Sequence, residues 1–448
     1  MKENGLKKLD LRGIKRKVRG EGFWARLFRN AATALLGTSG AQAIGIITLS
    51  ILVQSLGVTQ YAFFVLGQQY MTVVDALVNF QSWQAIIKFG ADAKSKKEDE
   101  RLFADLKLGI LMDVATAVAG TVLGLLVLTF VCDLMGWGSE VRLAAYIFSL
   151  EIVFHIEGSS IGILRLFDKF QWTAINSIAL AVFKLLVVGG YCFLPIEHTM
   201  IGYVVVYVAT DIANHVSLLF LALFFLHRRF GLRRILLAPL SCRDREFVSF
   251  CLWSNLGTTV DVPVKYLDVF IISAVSVEMV AVYKVFKQAL QVFSLLTNPI
   301  STAIMPQMSE LVSEGEQRKA FDVVLKIRNA ICMVMVACLI GASLLGYPLF
   351  NVLFGHVYAA NLPLFLILLA VHFYALMYVA LHPYFFSLGL AKEDSMVSLV
   401  SNAVYLGVAF ALVRYLGVYA IVLASALQYL STNLTKVRIV KMRLADLG

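Results

Sequence analysis

Ionisable residues stand in this chain where charge is costly. Lys184, Lys265, Lys284 and Lys287 lie inside long apolar segments, together with Asp75, Glu151, His155, Asp211, Asp261 and Asp268. Such a group near a bilayer centre costs about 2.5–3.5 kcal/mol on insertion scales, so it must face a partner or a wet cavity. Spacing sorts the groups by helical face. Asp261, Lys265 and Asp268 fall at i, i+4 and i+7, a stripe with its own counter-charges. Lys284 and Lys287 with Gln288 and Gln291 form a second polar face; Asp75 and Asn79, with Gln68 one repeat away, form a third. Glu151, His155 and Ser159 form a fourth; Asp211 and His215 are expected to pair, and Lys184 to stand alone. The lysines suit a phosphate or pyrophosphate. The acids and His155 suit a proton or a cation, because burial and neighbours tune such groups. Helix-locking ion pairs, such as Lys265 with Asp261 or Asp268, are the alternative for any one of them, and Asp113 and Lys88 lie near segment ends, where snorkelling accounts for them. A purely structural bundle would use Ser, Thr, Gly and Ala at its contacts. So many ionisable groups instead point to a hydrated cavity of mixed, partly cationic charge.

The elements that must position these residues are membrane spans. The 448 residues are 59% hydrophobic and 15% charged, with a mean hydropathy of +0.79; a soluble domain carries about 25% charged residues. Apolar segments long enough to cross a bilayer occupy 31–55, 61–88, 106–131, 141–164, 171–194, 200–226, 247–274, 279–304, 329–353, 361–383, 395–414 and 417–437. When the gaps are assigned alternately to two sides, one side collects roughly thirty-three of the 39 Lys and Arg, and both termini. That side is expected to be cytoplasmic. The opposite loops are very short and hold only Arg142 and Arg414. The net charge of +10 thus flanks spans and meets lipid headgroups, and nucleic acid is not expected as a partner.

The expected organisation is a basic interfacial segment over 1–30, carrying Phe23, Trp24, Leu27 and Phe28, then a six-helix half over 31–226. A basic linker, 227–246, leads to a second six-helix half, 247–437, and a tail, 438–448. Leu56–Leu66 and Val275–Val285 join corresponding spans at an offset of roughly 220 residues, and Arg165–Phe170 and Ser387–Lys392 repeat that offset. Two halves that both start from the same side are parallel repeats about an axis along the membrane normal, with a central cavity between them. The fold class is therefore an all-α polytopic membrane protein. Six scattered cysteines show no metal or redox spacing, the first apolar run is too long for a cleaved signal, and no cofactor or metal is expected. The aromatic share of 12% is compatible with sugar stacking, though most of it belongs to packing and interface belts.

Several short motifs resemble the polysaccharide transporters of the multidrug/oligosaccharidyl-lipid/polysaccharide exporter superfamily, particularly bacterial O-antigen flippases. Gly57 and Tyr61 look like the family's junction after span one; Leu267-Asp268 and Val282-Tyr283 look like its stretch across spans seven and eight, and Pro306 like its closing proline. Phe354, Gly355 and Tyr358 resemble the turn before span ten, and Leu388, Gly389, Tyr415, Gly417 and Ala420 resemble the pattern around span eleven. Ala62 and Val280-Ala281-Val282 depart from it where the family often has glycine. Of the intramembrane charges only Asp268 falls on a motif position. The resemblance implies a MATE-like fold in the bacterial inner membrane. It also implies movement of a polyprenyl-pyrophosphate-linked oligosaccharide (O-antigen, exopolysaccharide or capsule unit) between leaflets, driven by H+, Na+ or the membrane potential. Membrane lipids and polymerase or chain-length machinery would be partners. A multidrug exporter of the same superfamily would favour an acidic cavity without so many lysines. A polysaccharide polymerase or ligase would need a catalytic outer loop, which these short loops cannot hold, and no filter-like segment suggests a channel.

Overall fold

In a computed structural model the chain is described over residues 23–445, apart from 81, 196 and 241–243. Side chains are described from residue 37, apart from those positions and 244, 257–258, 294–296, 298–303, 306 and 391. Most of the expected interfacial segment, the side chains of Phe23, Trp24, Leu27, Phe28 and Pro306, and the last three residues lie outside that set.

Among the described residues all regular structure is helical. The first two passes are α1 (Phe23–Val78), bent at Gly57, followed by α2 (Ser82–Lys96). Gly57 has φ 69° and ψ 176°, a conformation glycine adopts without strain. Then come α3 (Asp99–Met135), α4 (Ser139–Ser149), a 3-10 turn at Ile152–Phe154, α5 (Glu157–Leu166), α6 (Phe170–Cys192) and α7 (Met200–Phe230). The linker carries α8 (Leu232–Leu236). The second half holds α9 (Asp244–Thr259), α10 (Val262–Tyr266), α11 (Asp268–Ser273), α12 (Val277–Ser313), α13 (Gln317–Phe354), α14 (His356–Ala360), α15 (Leu362–Met377), α16 (Leu381–Ser387), α17 (Ala391–Leu416) and α18 (Val418–Ala445). Among the described residues, eight stretches are long and apolar enough to cross a membrane. The first of them, Gly37–Lys96, folds back at Gly57 and makes two passes. With α9–α11, α12 and α18 the chain makes the twelve passes its sequence suggests.

Four expected continuous spans are interrupted, span two among them between Val78 and Ser82. Span four breaks between Ser149 and Glu157, placing Glu151 and His155 on irregular backbone, not on one helical stripe with Ser159. Span seven breaks twice: Pro263 has no N–H for the Thr259 carbonyl, so α9 stops there, and the stripe is divided between α10, which Asp261 caps and Lys265 occupies, and α11, which Asp268 opens. In span ten Pro383 likewise leaves the Val379 carbonyl without its helical donor, and the helix breaks at Tyr378–Ala380. Such backbone is tolerated at membrane depth only against protein or a wet cavity. Elsewhere helices overrun their apolar spans, as α12 and α13 do at the basic face, because charged turns continue the helix into the headgroup layer.

The apolar core differs between the two faces. One cluster joins the halves and reaches the short-loop face, with Leu52, Phe64 and Tyr203 from the first half and Val269, Phe286 and Tyr405 from the second. There Gln54 Nε2 donates to the Val352 and Leu353 carbonyls at 3.0 and 2.7 Å, and Ser50 Oγ also donates to Leu353 O. At the basic face the core separates. Ile86, Leu106, Leu164 and Leu226 belong to a first-half cluster, and Met308, Val324, Leu381 and Val440 to a second-half cluster. Phe247 and Cys251 of α9 belong to the first-half cluster, so pass seven starts against one half and ends, at Val269, within the shared core.

Candidate functional site

The broken fourth span assembles a dense polar cluster inside the first half. His155 Nδ1 lies 2.8 Å from Asp75 Oδ2, and its Nε2 lies 3.1 Å from Glu157 Oε2. Asn79 bridges Asp75 and His155 at 3.3 and 3.2 Å. His215 Nε2 faces Glu151 Oε1 at 3.3 Å, and the two imidazole centroids are 4.6 Å apart. Asp211 does not pair with His215 as expected; it accepts from Lys184 Nζ at 2.6 Å. Lys184 is therefore not alone, and its ammonium also sits 3.1 Å from the Tyr207 ring centroid. The spacing of four between Asp211 and His215 put them on one helical face, but each finds its partner outside α7, Asp211 in Lys184 and His215 in Glu151.

Below this cluster Asp113 is 1% exposed and accepts the Ser159 backbone N–H, so it is a buried anchor and does not snorkel. Gly158 permits that approach: a Cβ there would lie 2.8 Å from Ser82 Oγ and 3.2 Å from both Asp113 carboxylate oxygens.

A second cluster lies where the halves meet. Asp268, 1% exposed, accepts from the Tyr283 hydroxyl at 2.8 Å and from Lys287 Nζ. Lys287 also donates to the Lys265 carbonyl at 2.8 Å. Lys284 reaches across the boundary to Gln69 Oε1 at 2.9 Å, while Gln69 Nε2 returns to Tyr266 O at 3.0 Å. Lys265 itself pairs with Asp261 at 3.2 Å on an exposed surface, and Asp261 also accepts from Asn402 at 3.2 Å. Gln288 is half-buried and Gln291 exposed further along α12. The twelve candidates thus fall into three groups. Three of the four lysines sit beside a carboxylate; the fourth, Lys284, donates to the neutral amide of Gln69.

A third feature lies at the basic face: an open cavity of about 1000 Å³ between α2, the start of α3 and α9. Lys88, Lys96, Arg101 and Arg245 line it against Asp92 and Glu246, with Phe250 and Trp253 on its wall. Lys88 lies 4.2 Å from the Phe250 ring centroid, so it is held in the wall. Sequence reasoning missed Gln69, Glu157, Asp394 with Lys436, and this cavity. Glu157 had a legible signal, two residues after His155; Gln69 had none beyond its neighbour Gln68.

The model of the family described as "Polysaccharide biosynthesis protein" matches residues 27–312, well over half of the chain. The chain belongs to that family. The matched region contains the first-half cluster and the Asp268–Lys284–Lys287 cluster, whereas the Asp394–Lys436 pair lies beyond it. Inner membrane protein YghQ of Escherichia coli is 22% identical over 158 residues, 35% of this family member and 44% of YghQ, so the chain matches less than half of that relative's length. Among solved structures, an inward-facing MATE transporter of the MOP superfamily superposes with a TM-score of 0.77 at 13% identity, covering 92% of this chain and 98% of that one. The lipid II flippase MurJ, inward closed, gives 0.69 at 13% identity, covering 90% and 86%. An outward-facing MATE transporter gives 0.61 at 14% identity, covering 96% and 98%. The family member therefore has the MATE-like all-α membrane fold.

Proposed function

We propose that this protein is a flippase of the bacterial inner membrane that carries a polyprenyl-pyrophosphate-linked oligosaccharide from the cytoplasmic to the outer leaflet by alternating access. The observation that carries the reading is the divided core: the halves share one apolar cluster at the short-loop face and hold separate ones at the basic face. With the basic face cytoplasmic by the positive-inside rule, this is a transporter sealed to the outside and open to the cytoplasm. A pyrophosphate and a run of hydroxyls cannot cross hydrocarbon unaided, while the lipid tail can stay in the bilayer. Lys88, Arg101 and Arg245 at the cytoplasmic mouth meet the headgroup first, and Lys284 and Lys287 receive it near the sealed end. Rocking of the halves then breaks the Lys284–Gln69 and Gln54–Leu353 links and exposes the cargo outward. Asp75, Glu151, His155 and Asp211 are the candidates for coupling this motion to H+ or Na+.

The test is a strain lacking the protein, with its lipid-linked glycan assayed by leaflet. Accumulation of complete units in the cytoplasmic leaflet, relieved by the wild-type gene, is the expected result. Unpolymerised units at the outer surface would sink the flippase reading in favour of a polymerase. Unchanged glycan with altered resistance to cationic drugs would favour a multidrug exporter.

A further inference from the structure

We propose that His155, Glu157 and His215 form a binding site for a divalent transition-metal ion of the zinc type, set in the break of the fourth pass. One ligand atom from each of the three lies within 4.8 Å of the others. Glu157 Oε2 stands 3.1 Å from His155 Nε2 and 3.6 Å from His215 Nδ1. Ligands of a tetrahedral zinc ion, bound at ~2.0–2.2 Å, are separated by roughly 3.3 Å, so the two edges from Glu157 already stand near that length. The far nitrogen of each ring is held by a carboxylate: His155 Nδ1 by Asp75 at 2.8 Å and His215 Nε2 by Glu151 at 3.3 Å. A ring that donates its N–H outward to a carboxylate turns the lone pair of its other nitrogen inward, which is how metal-binding imidazoles are oriented. The Asn79 amide, 3.2 Å from His155 Nδ1, closes the same side.

An independent observation points to a missing ligand. His215 is 8% exposed, and its Nδ1, the atom aimed at Glu157, is buried with no hydrogen-bond partner. A buried imidazole nitrogen left unsatisfied is costly, and a metal ion would satisfy it. Two imidazoles and one carboxylate also select a transition metal over Ca2+ or Mg2+, which take oxygen ligands. Three protein ligands leave a fourth position for water. Bound metal would tie the backbone at 155–157 to α7, stiffening the interrupted fourth pass. Sequence reading expected no metal because no Cys or Cys/His spacing supports one; His155 and Glu157 are two positions apart, and the third ligand lies far along the chain. The inference does not depend on the cargo.

The test uses the full-length protein, purified in detergent with any affinity tag removed, and titrated with Co2+ and then Zn2+. The expected result is one equivalent of Co2+ producing the intense visible absorption of a four-coordinate ion, bleached by one equivalent of Zn2+. His215→Ala and Glu157→Gln should each weaken binding more than tenfold, and Asp75→Asn, which only orients a ring, about 10–100-fold. His356→Ala, in the second half, should leave binding unchanged. Size-exclusion and thermal-unfolding profiles show that each variant is folded, and Glu157→Asp, which keeps a carboxylate, should recover part of the affinity. Absence of stoichiometric binding by folded wild-type protein, or binding that survives the His155→Ala/His215→Ala pair, overturns the proposal. Imidazoles that only take up protons would give that first outcome.

Discussion

The first-half cluster and the lysine cluster of the second half use charge in opposite ways. In the first half, Asp75, Glu151, Glu157 and Asp211 surround His155, His215 and Lys184, and every contact closes within one half. In the second, Lys284 and Lys287 flank Asp268, and Lys284 bonds to Gln69 of the other half. A network closed within one rigid body can keep its contacts while the halves move. Under the proposed alternating access, one that crosses the boundary must break. On that proposal the first half stores charge and the second carries the conformational latch.

The largest expected effect lies at Asp268, the anchor of the latch. Asp268→Ala removes a buried carboxylate, taking the counter-charge from Lys287, whose side chain is 32% exposed, and the acceptor from the Tyr283 hydroxyl. Hydrogen bonds to charged groups contribute about 1.5–3 kcal/mol each, and both are lost here. Thermal unfolding in detergent should fall accordingly, with glycan export lost. Asp268→Asn combined with Lys287→Gln should recover most of the stability but not the export. If export recovers as well, Asp268 is a structural pair and the comparison fails on that side.

Next is Lys184→Met. It leaves Asp211 without the ammonium 2.6 Å away, and hydrogen bonds to charged groups contribute about 1.5–3 kcal/mol. A double-mutant cycle with Asp211→Asn should give a coupling of the same order, because both side chains are mostly withdrawn from solvent. Stability should drop while the cross-half contacts stay intact. A coupling near zero would show that the first-half network is solvated and stores no charge.

Much of this was legible in the sequence, and what failed has a common physical cause. Hydropathy and the one-sided Lys and Arg gave twelve passes because the bilayer makes length and charge placement nearly obligatory. Most partners inside the membrane were not legible. Helical spacing paired Lys265 with Asp261 or Asp268, and the Asp261 pair forms; it also paired Asp211 with His215, which share the continuous α7 but take partners from other segments of the chain. Pro263 and the turn at Ile152–Phe154 break the helices at the charges themselves. Lys184 finds Asp211 and Lys284 finds Gln69 across separations that no local period encodes. The glycines fared better, since Gly57 and Gly417, both in motif-like turns, take positive φ at 69° and 56°.

Lys284→Gln tests the latch without disturbing a carboxylate. The amide keeps a donor toward Gln69 Oε1, so stability should change by less than the Lys184 variant. The cationic charge at the sealed end is lost, and export should fall about tenfold, equivalent to ~1.4 kcal/mol in a barrier. A similar loss from Gln69→Ala would place the effect in the link between the halves. Normal export from Gln69→Ala with loss from Lys284→Gln would place it in the charge offered to the cargo. That outcome would sharpen the comparison by separating latch from ligand.

The smallest effect belongs to Lys265, although its sequence position looks as deeply intramembrane as that of Lys284. Its side chain is 56% exposed and that of its partner Asp261 is 43% exposed; exposed pairs contribute only about 0–1 kcal/mol. What Lys287 uses from this residue is the backbone carbonyl, which Lys265→Ala retains. Stability and export should therefore stay close to wild type, measured by the same unfolding and glycan assays. A loss as large as that from Lys284→Gln would mean that the exposed side chain faces the cargo path. The second half would then hold a cationic surface reaching from the latch toward the cleft, and the contrast between a closed charge store and a single crossing latch would have to be redrawn.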